Sequence, residues 1–175
     1  VGQGDSAVLE LPDGQTILID GGAKYERFDM GRGVVAPFLL NHGLRRIDHI
    51  IATHPQQDHV GGLIWLIRHL DIGAYWHLGI ERKEPLFEDL RRIVEQKHVP
   101  VYRATRGQEI VRGTCRLAIL SPAAPAVSSP SDHSPGGMQL NNQSIATQLI
   151  CGSHSLVFAA DLEVDGLRQL ELAAQ

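Results

Sequence analysis

Between Thr53 and Gly62 the chain reads Thr-His-Pro-Gln-Gln-Asp-His-Val-Gly-Gly. His54, Asp58 and His59 are all good ligands for a divalent ion, because imidazole nitrogen and carboxylate oxygen at about 2.0–2.2 Å form the ordinary zinc set. On a tight turn the adjacent Asp58 and His59 can face one ion, with His54 facing a second close by. Gly61 and Gly62 let the backbone approach without a Cβ in the way. Such groups support metal-assisted hydrolysis, in which a bound water loses a proton near neutral pH and attacks a carbonyl or phosphorus centre. Two ions about 3.5–4 Å apart hold both the attacking and the leaving oxygen, which suits a phosphodiester. Asp58 can also orient the water or accept its proton. A lone histidine here would more often be structural. Three ligand types ahead of a glycine pair argue for a site.

These residues need a scaffold that places them at strand ends. Ser6 to Leu11 and Gln15 to Asp20 read as two strands joined by a Pro12-Asp13-Gly14 turn. Val34 to His42 reads as a short helix stopped by Gly43, and Asp48 to Thr53 as a strand that ends on the histidine motif. Leu63 to Leu70 is helical and Ile72 to Leu78 a strand. Pro85 to His98 is the clearest helix, with Leu86, Leu90, Ile93 and Val94 on one face. Val99 to Arg103 and Cys115 to Leu120 are strands. Ile145 to Cys151 and Ser155 to Ala160 form a hairpin, Asp161 follows at once, and Leu162 to Leu172 is helical. Ser121 to Gly137, with five Ser, four Pro and two Gly, reads as a flexible loop or a flap over the site. This order predicts a single α/β domain over 1–175, a sandwich with mixed sheets.

The 175 residues are 43% hydrophobic and 21% charged, which excludes a disordered or disulfide-dense chain. Apolar runs reach only about five residues, as in Leu63 to Ile67, too short to span a bilayer. A net charge of −4 gives no global field for nucleic acid. Lys97, Arg103, Arg106, Arg112 and Arg116 outnumber Glu109 locally, as a phosphate-touching patch or, more plainly, a solvated face. Cys115 and Cys151 lack metal-type spacing, so no cysteine-based metal site is expected. Their apolar surroundings favour buried free thiols.

The motif resembles that of metallo-β-lactamase-fold hydrolases, His-x-His/Asp-x-Asp-His followed by Gly-Gly. Val1-Gly2-Gln3-Gly4-Asp5-Ser6, Ile17-Leu18-Ile19-Asp20-Gly21-Gly22 and Asn141-Asn142-Gln143-Ser144 make it similar to the ComEC-like branch, the C-terminal hydrolase domains of competence DNA-uptake proteins. The resemblance implies an αββα sandwich that binds up to two zinc or manganese ions. It implies His54 on one ion, Asp58 and His59 on the other, and Asp161 bridging them, with Asp58 also catalytic. Asp20 would support the metal histidines, although alone it reads equally as a turn or capping aspartate. Asn141 and Asn142 lie where relatives carry a further histidine. The implied setting is a domain outside the cytoplasm, attached to the channel region of a membrane protein and acting on incoming DNA. Two departures stand out. Gln56 replaces a charged or imidazole ligand, and no histidine follows His154, so the chain reads as truncated at both ends and its metal binding as weak. The competing readings are a non-catalytic nucleic-acid-binding or scaffolding module, and a free-standing small-molecule hydrolase.

Overall fold

The structure is a computed structural model that describes residues 1–2, 4–123 and 140–173. Strands β1 (Ala7–Glu10) and β2 (Thr16–Ile19) form the expected hairpin, in which Gly14 takes the left-handed turn position (φ 85°) and Asp13 accepts the amide of Gln15. β2 then pairs in parallel with β4 (His49–Ile51), β4 with β6 (Tyr75–His77) and β6 with β7 (Val101–Arg103). The sheet order is β1-β2-β4-β6-β7. Two short strands, β3 (Arg46–Ile47) and β5 (Asp71–Ile72), pair beside it.

Helices cross between the parallel strands: α1 (Ala36–Asn41) after a π-helical turn, α2 (Gln57–Val60), α3 (Leu63–His69) and α4 (Pro85–Gln96). Alternation along the buried strands assigns their two faces. Leu18 and Ile50 pack with Leu39, Leu66 and Val94 of the helices. Ile17, Ile19, Ile51 and Trp76 face the other way, onto a second, antiparallel sheet ordered β11-β10-β9-β8. Its strands are β8 (Glu109–Arg112), β9 (Cys115–Ile119), β10 (Thr147–Cys151) and β11 (His154–Phe158), and Ile110, Leu117 and Ile119 fill the gap between sheets. Helix α5 (Val164–Ala173) follows. This is the expected mixed-sheet sandwich. Most of the expected flap, within 121–137, lies outside the described residues.

The thiol expectation is corrected. Cys115 and Cys151 form a disulfide. The antiparallel register sets them directly opposite each other, with Cα atoms 4.2 Å apart, a relation that a separation of 36 residues conceals in the sequence. Chain entropy for such a loop gives about 3–4 kcal/mol of stabilisation. Cys115→Ala/Cys151→Ala is therefore expected to lower the melting temperature by roughly 6–16 °C. Reductant should lower the parent protein to the same value and leave the variant unmoved, which calorimetry would check.

Candidate metal centre

β4 ends at Ile51, and Thr53 and His54 continue into the space beyond the sheet edge. His59 lies one turn on, in α2. The two imidazoles sit with centroids 4.1 Å apart, both buried. Asp161 arrives from the other sheet. β11 ends at Phe158, and Ala160 takes a left-handed conformation (φ 49°) that turns the chain just before it. The Asp161 Oδ2 lies 3.4 Å from His59 Nε2 and 4.0 Å from His54 Nε2. Ligand atoms of His54, His59 and Asp161 all fall within 4.8 Å of one another.

Asp20 organises both rings. It is fully buried, at the end of β2, in a left-handed conformation (φ 57°) that aspartate tolerates. Its Oδ1 accepts the Thr53 amide at 2.8 Å, and its Oδ2 accepts both the Thr53 hydroxyl at 2.6 Å and His59 Nδ1–H at 2.8 Å. Because the Thr53 hydroxyl spends its proton on Asp20, its oxygen accepts from His54 Nδ1–H, 3.0 Å away. That fixes the His54 tautomer and leaves Nε2 with a bare lone pair, buried and without a hydrogen-bond partner. An orphaned buried nitrogen aimed at a second imidazole and a carboxylate is what a divalent ion would satisfy, so these residues fit a metal.

The electrostatics divide the two rings: one is ready as a ligand, and the other holds a proton that a bound ion would have to displace. Burial, then the neighbouring charge on His59, pushes His54 down to about 4, which keeps it neutral. Burial alone would also depress His59, but the Asp20 hydrogen bond and charge, helped by Asp161 and Asp58, outweigh it and raise the ring to about 9.

Asp58 is not part of the three-residue cluster. The sequence places it on a tight turn, whereas the structure puts it in helix α2, where neighbouring side chains diverge by about 100°. Only its charge reaches the two histidines. Its backbone has a different neighbour: a Cβ on Gly4 (φ 98°) would meet Asp58 O at 1.9 Å. That contact sets Gly4 directly against the segment that carries His54 and His59. Gly62 is equally constrained, since a Cβ there would meet Gly21 O at 2.1 Å and Gly31 N at 2.5 Å.

Gln56 donates to Asn141 Oδ1 at 2.8 Å, and Asn141 Nδ2 donates to Glu163 Oε1 at 3.2 Å. Asn142 instead caps the start of α5, accepting the amides of Glu163 and Gly166 at 3.1 Å each. The sequence did not identify Thr53 or Glu163. Thr53 had a signal, a hydroxyl beside the first histidine; Glu163 had none apart from its closeness to Asp161. The basic stretch is employed locally: Arg106 donates to Leu120 O, Arg112 to Gln15 and Arg116 to Glu109. Both cysteine sulfurs are in the disulfide, so neither serves a metal.

A two-sheet sandwich with buried histidines and an aspartate meeting at the strand ends defines a class. The chain belongs to the metallo-beta-lactamase superfamily, whose family model matches residues 1–136. Among curated proteins it is similar to ComE operon protein 3 of Bacillus subtilis (strain 168), 27% identical over 185 residues, covering 97% of this chain and 22% of that protein. The chain thus spans about a fifth of that relative's length. Among solved structures, a Cronobacter sakazakii metallo-beta-lactamase with a HARLDQ motif superposes with TM-score 0.56 at 17% identity, covering 97% of this chain and 63% of the other. CmlA, a diiron β-hydroxylase from Streptomyces venezuelae, superposes at TM-score 0.50 and 19% identity, covering 93% and 30%. Similarity at that level shows the fold alone, so the metal and the reaction must be argued from the site.

Proposed function

We propose that this chain is a metal-dependent phosphodiesterase domain that cuts a DNA strand, within a membrane protein of bacterial DNA uptake. The observation that carries the reading is the convergence of the unpartnered His54 Nε2 with His59 and Asp161. His54, His59 and Asp161 would hold the ion, and a divalent ion there supplies a water acidified to near neutrality and a counter-charge for the phosphate. Asp20 fixes the ring orientations, directly for His59 and through Thr53 for His54. Asp58 supplies negative charge beside the cluster and is the residue we assign to orient the attacking water and take its proton. DNA as substrate rests on the resemblance of the Val1–Ser6, Ile17–Gly22 and Asn141–Ser144 sequence blocks to competence DNA-uptake domains, in keeping with the similarity to ComE operon protein 3.

The setting follows the same lines. No helix among the described residues is long and apolar enough to cross a membrane. The Cys115–Cys151 disulfide favours an oxidising compartment, in keeping with a domain held outside the cytoplasm by a channel region elsewhere in the parent protein. One observation favours a second reading, a binding or scaffolding module without catalysis. Gln56 and Asn141, positions at which the family resemblance implies ligands, are bonded to each other.

The test is a single-turnover cleavage assay on end-labelled single-stranded DNA with manganese or zinc. Cleavage should require the metal and fall by at least about 100-fold in Asp161→Ala, with the circular dichroism spectrum retained. Full metal binding without cleavage would move the assignment to the second reading.

A further inference from the structure

Outside the metal centre, one face of the molecule combines exposed rings with cations that no side chain neutralises. Residues 24–29 form a tight loop, closed by the Lys24–Asp29 bridge and by the Tyr25 amide, which donates to Phe28 O at 2.7 Å. Tyr25 and Phe28 flank its tip and are 46% and 48% exposed. The loop lies against the π-helical turn that leads into α1: a Cβ on Gly33 would meet the Phe28 ring at 2.6 Å. Val34 and Phe38, one turn apart, extend the apolar row and are 39% and 44% exposed. Lys24, Tyr25, Arg27, Phe28, Arg32 and Trp65 line one shallow hollow. The side chains of Lys24, Arg27 and Arg32, and of Arg68 one turn from Trp65 on α3, have no hydrogen-bond or ion-pair partner among the described residues. Elsewhere Arg46, Arg82, Arg92, Arg112 and Arg116 are each tied to an acceptor. Four free cations thus stand against the loop's two acids, Glu26 and Asp29, on a chain whose net charge is −4.

An occupant must cover apolar side chains and supply negative charge at the same surface. Base stacking needs ring faces that stand open, and these do not. Phe28 lies against Gly33, Phe38 is stacked on His42 at 4.2 Å, and Trp65 on His69 at 4.1 Å. What the face presents is ring edges and the aliphatic Val34, with amphipathic Tyr25 and Trp65 beside them and cations around the rim. Apolar groups that enter the acyl boundary, Tyr and Trp at headgroup depth, and Lys and Arg toward anionic phosphates make up an interfacial membrane surface. We infer that this face docks on the anionic headgroup layer of a lipid bilayer. The membrane setting is taken from the function proposed above, but docking needs neither metal nor cleavage. The face is also joined to the metal centre. A Cβ on Gly61 would meet Lys24 N at 2.5 Å, and one on Gly31 would meet Gly62 O at 2.0 Å, so the loop and the helical turn sit directly on the backbone that follows His59. Docking therefore sets the orientation of the metal centre relative to the bilayer.

The experiment is flotation of the purified chain, in EDTA, with vesicles of equal parts phosphatidylglycerol and phosphatidylethanolamine, against vesicles of phosphatidylcholine alone. Binding should require the anionic lipid and fall steeply at high salt. Arg27→Gln/Arg32→Gln should weaken it by roughly 25-fold, about fivefold for each cation. Phe28→Ser/Phe38→Ser should weaken it by about tenfold or more and spare the melting temperature, since both rings are nearly half exposed. Lys83→Gln/Lys97→Gln removes the same charge elsewhere and should bind as the parent chain does. Equal losses in the two charge variants, binding to phosphatidylcholine alone, or no binding to either vesicle would overturn the assignment. So would a single-stranded oligonucleotide bound through Arg27 and Phe28 in place of vesicles, which would make the face a nucleic-acid platform. A chain that floats with anionic vesicles but never cuts DNA keeps this surface and loses the hydrolase reading. A chain that cuts DNA and ignores vesicles does the reverse.

Discussion

Asp20→Ala is expected to weaken the fold and the metal centre together. The carboxylate accepts from the Thr53 amide, the Thr53 hydroxyl and His59. Its removal strands three donors in the interior, and breaking a buried charged pair from one side costs about 3–5 kcal/mol. For a chain of this length that lowers the melting temperature by roughly 6–20 °C. Metal affinity should fall by about 10–100-fold, the usual effect of losing a ligand's supporting partner, because both imidazoles lose their fixed tautomers. A pH series in EDTA separates the two rings. His59, raised to about 9, stabilises the fold fully below its unfolded value of about 6.5, and this is lost as pH rises from 6.5 through 9. His54, depressed to about 4, removes stability as pH falls from 6.5 through 4. The metal-free protein should therefore be most stable near pH 6.5, with a few kcal/mol lost on each side. Asp20→Ala should flatten the alkaline limb. A variant that keeps the melting temperature, the metal affinity and both limbs would refute this role for Asp20.

Metal stoichiometry should respond to two amides. The parent chain is expected to bind one ion per chain, and Gln56→Asp/Asn141→His to bind two. Gln56 and Asn141 satisfy each other, and Asn141 continues the network to Glu163, so neither offers a charged or imidazole donor to a second ion. Restoring both should tighten the second site by more than about 100-fold, beyond the effect of a supporting contact alone. The double variant should lose about 1 kcal/mol of stability with its amide pair. Titration with manganese, together with metal analysis after dialysis, reads both numbers. Two ions on the parent chain would show that the amides do not block the second site.

The sequence was most informative where chemistry and local pattern coincide. The strand running into His54, the α4 face of Leu90, Ile93 and Val94, and the hairpin that leads to Asp161 were all readable, because period, turn residues and ligand types agree there. Glu109–Arg112, noticed in the sequence only for its charges, is strand β8, since one buried position, Ile110, carries its whole inward face. Two features depend on register rather than pattern. Cys115 meets Cys151 because β9 and β10 pair at one particular offset. Gln56 meets Asn141 across 85 residues because the two sheets close on each other, and neither relation has a local signature.

The segment from Thr53 to His59 has a mechanical role besides its chemical one. Ile145 donates its amide to Thr53 O at 2.8 Å, Asn141 grips Gln56, and Asp161 faces both histidines, while Gly21 donates to His59 O and Gly4 presses on Asp58 from the N-terminal side. The seam along which the two β-layers mate thus runs through the site itself. Ordinary enzyme mouths breathe through loops that open at little free energy, independently of the body beneath. This mouth has no such freedom on its inner side, because widening it means parting the layers and breaking several of these contacts at once. Under the proposed phosphodiesterase reading, entry along the outer rim would suit a flexible single strand better than a rigid body that needs the jaws to move.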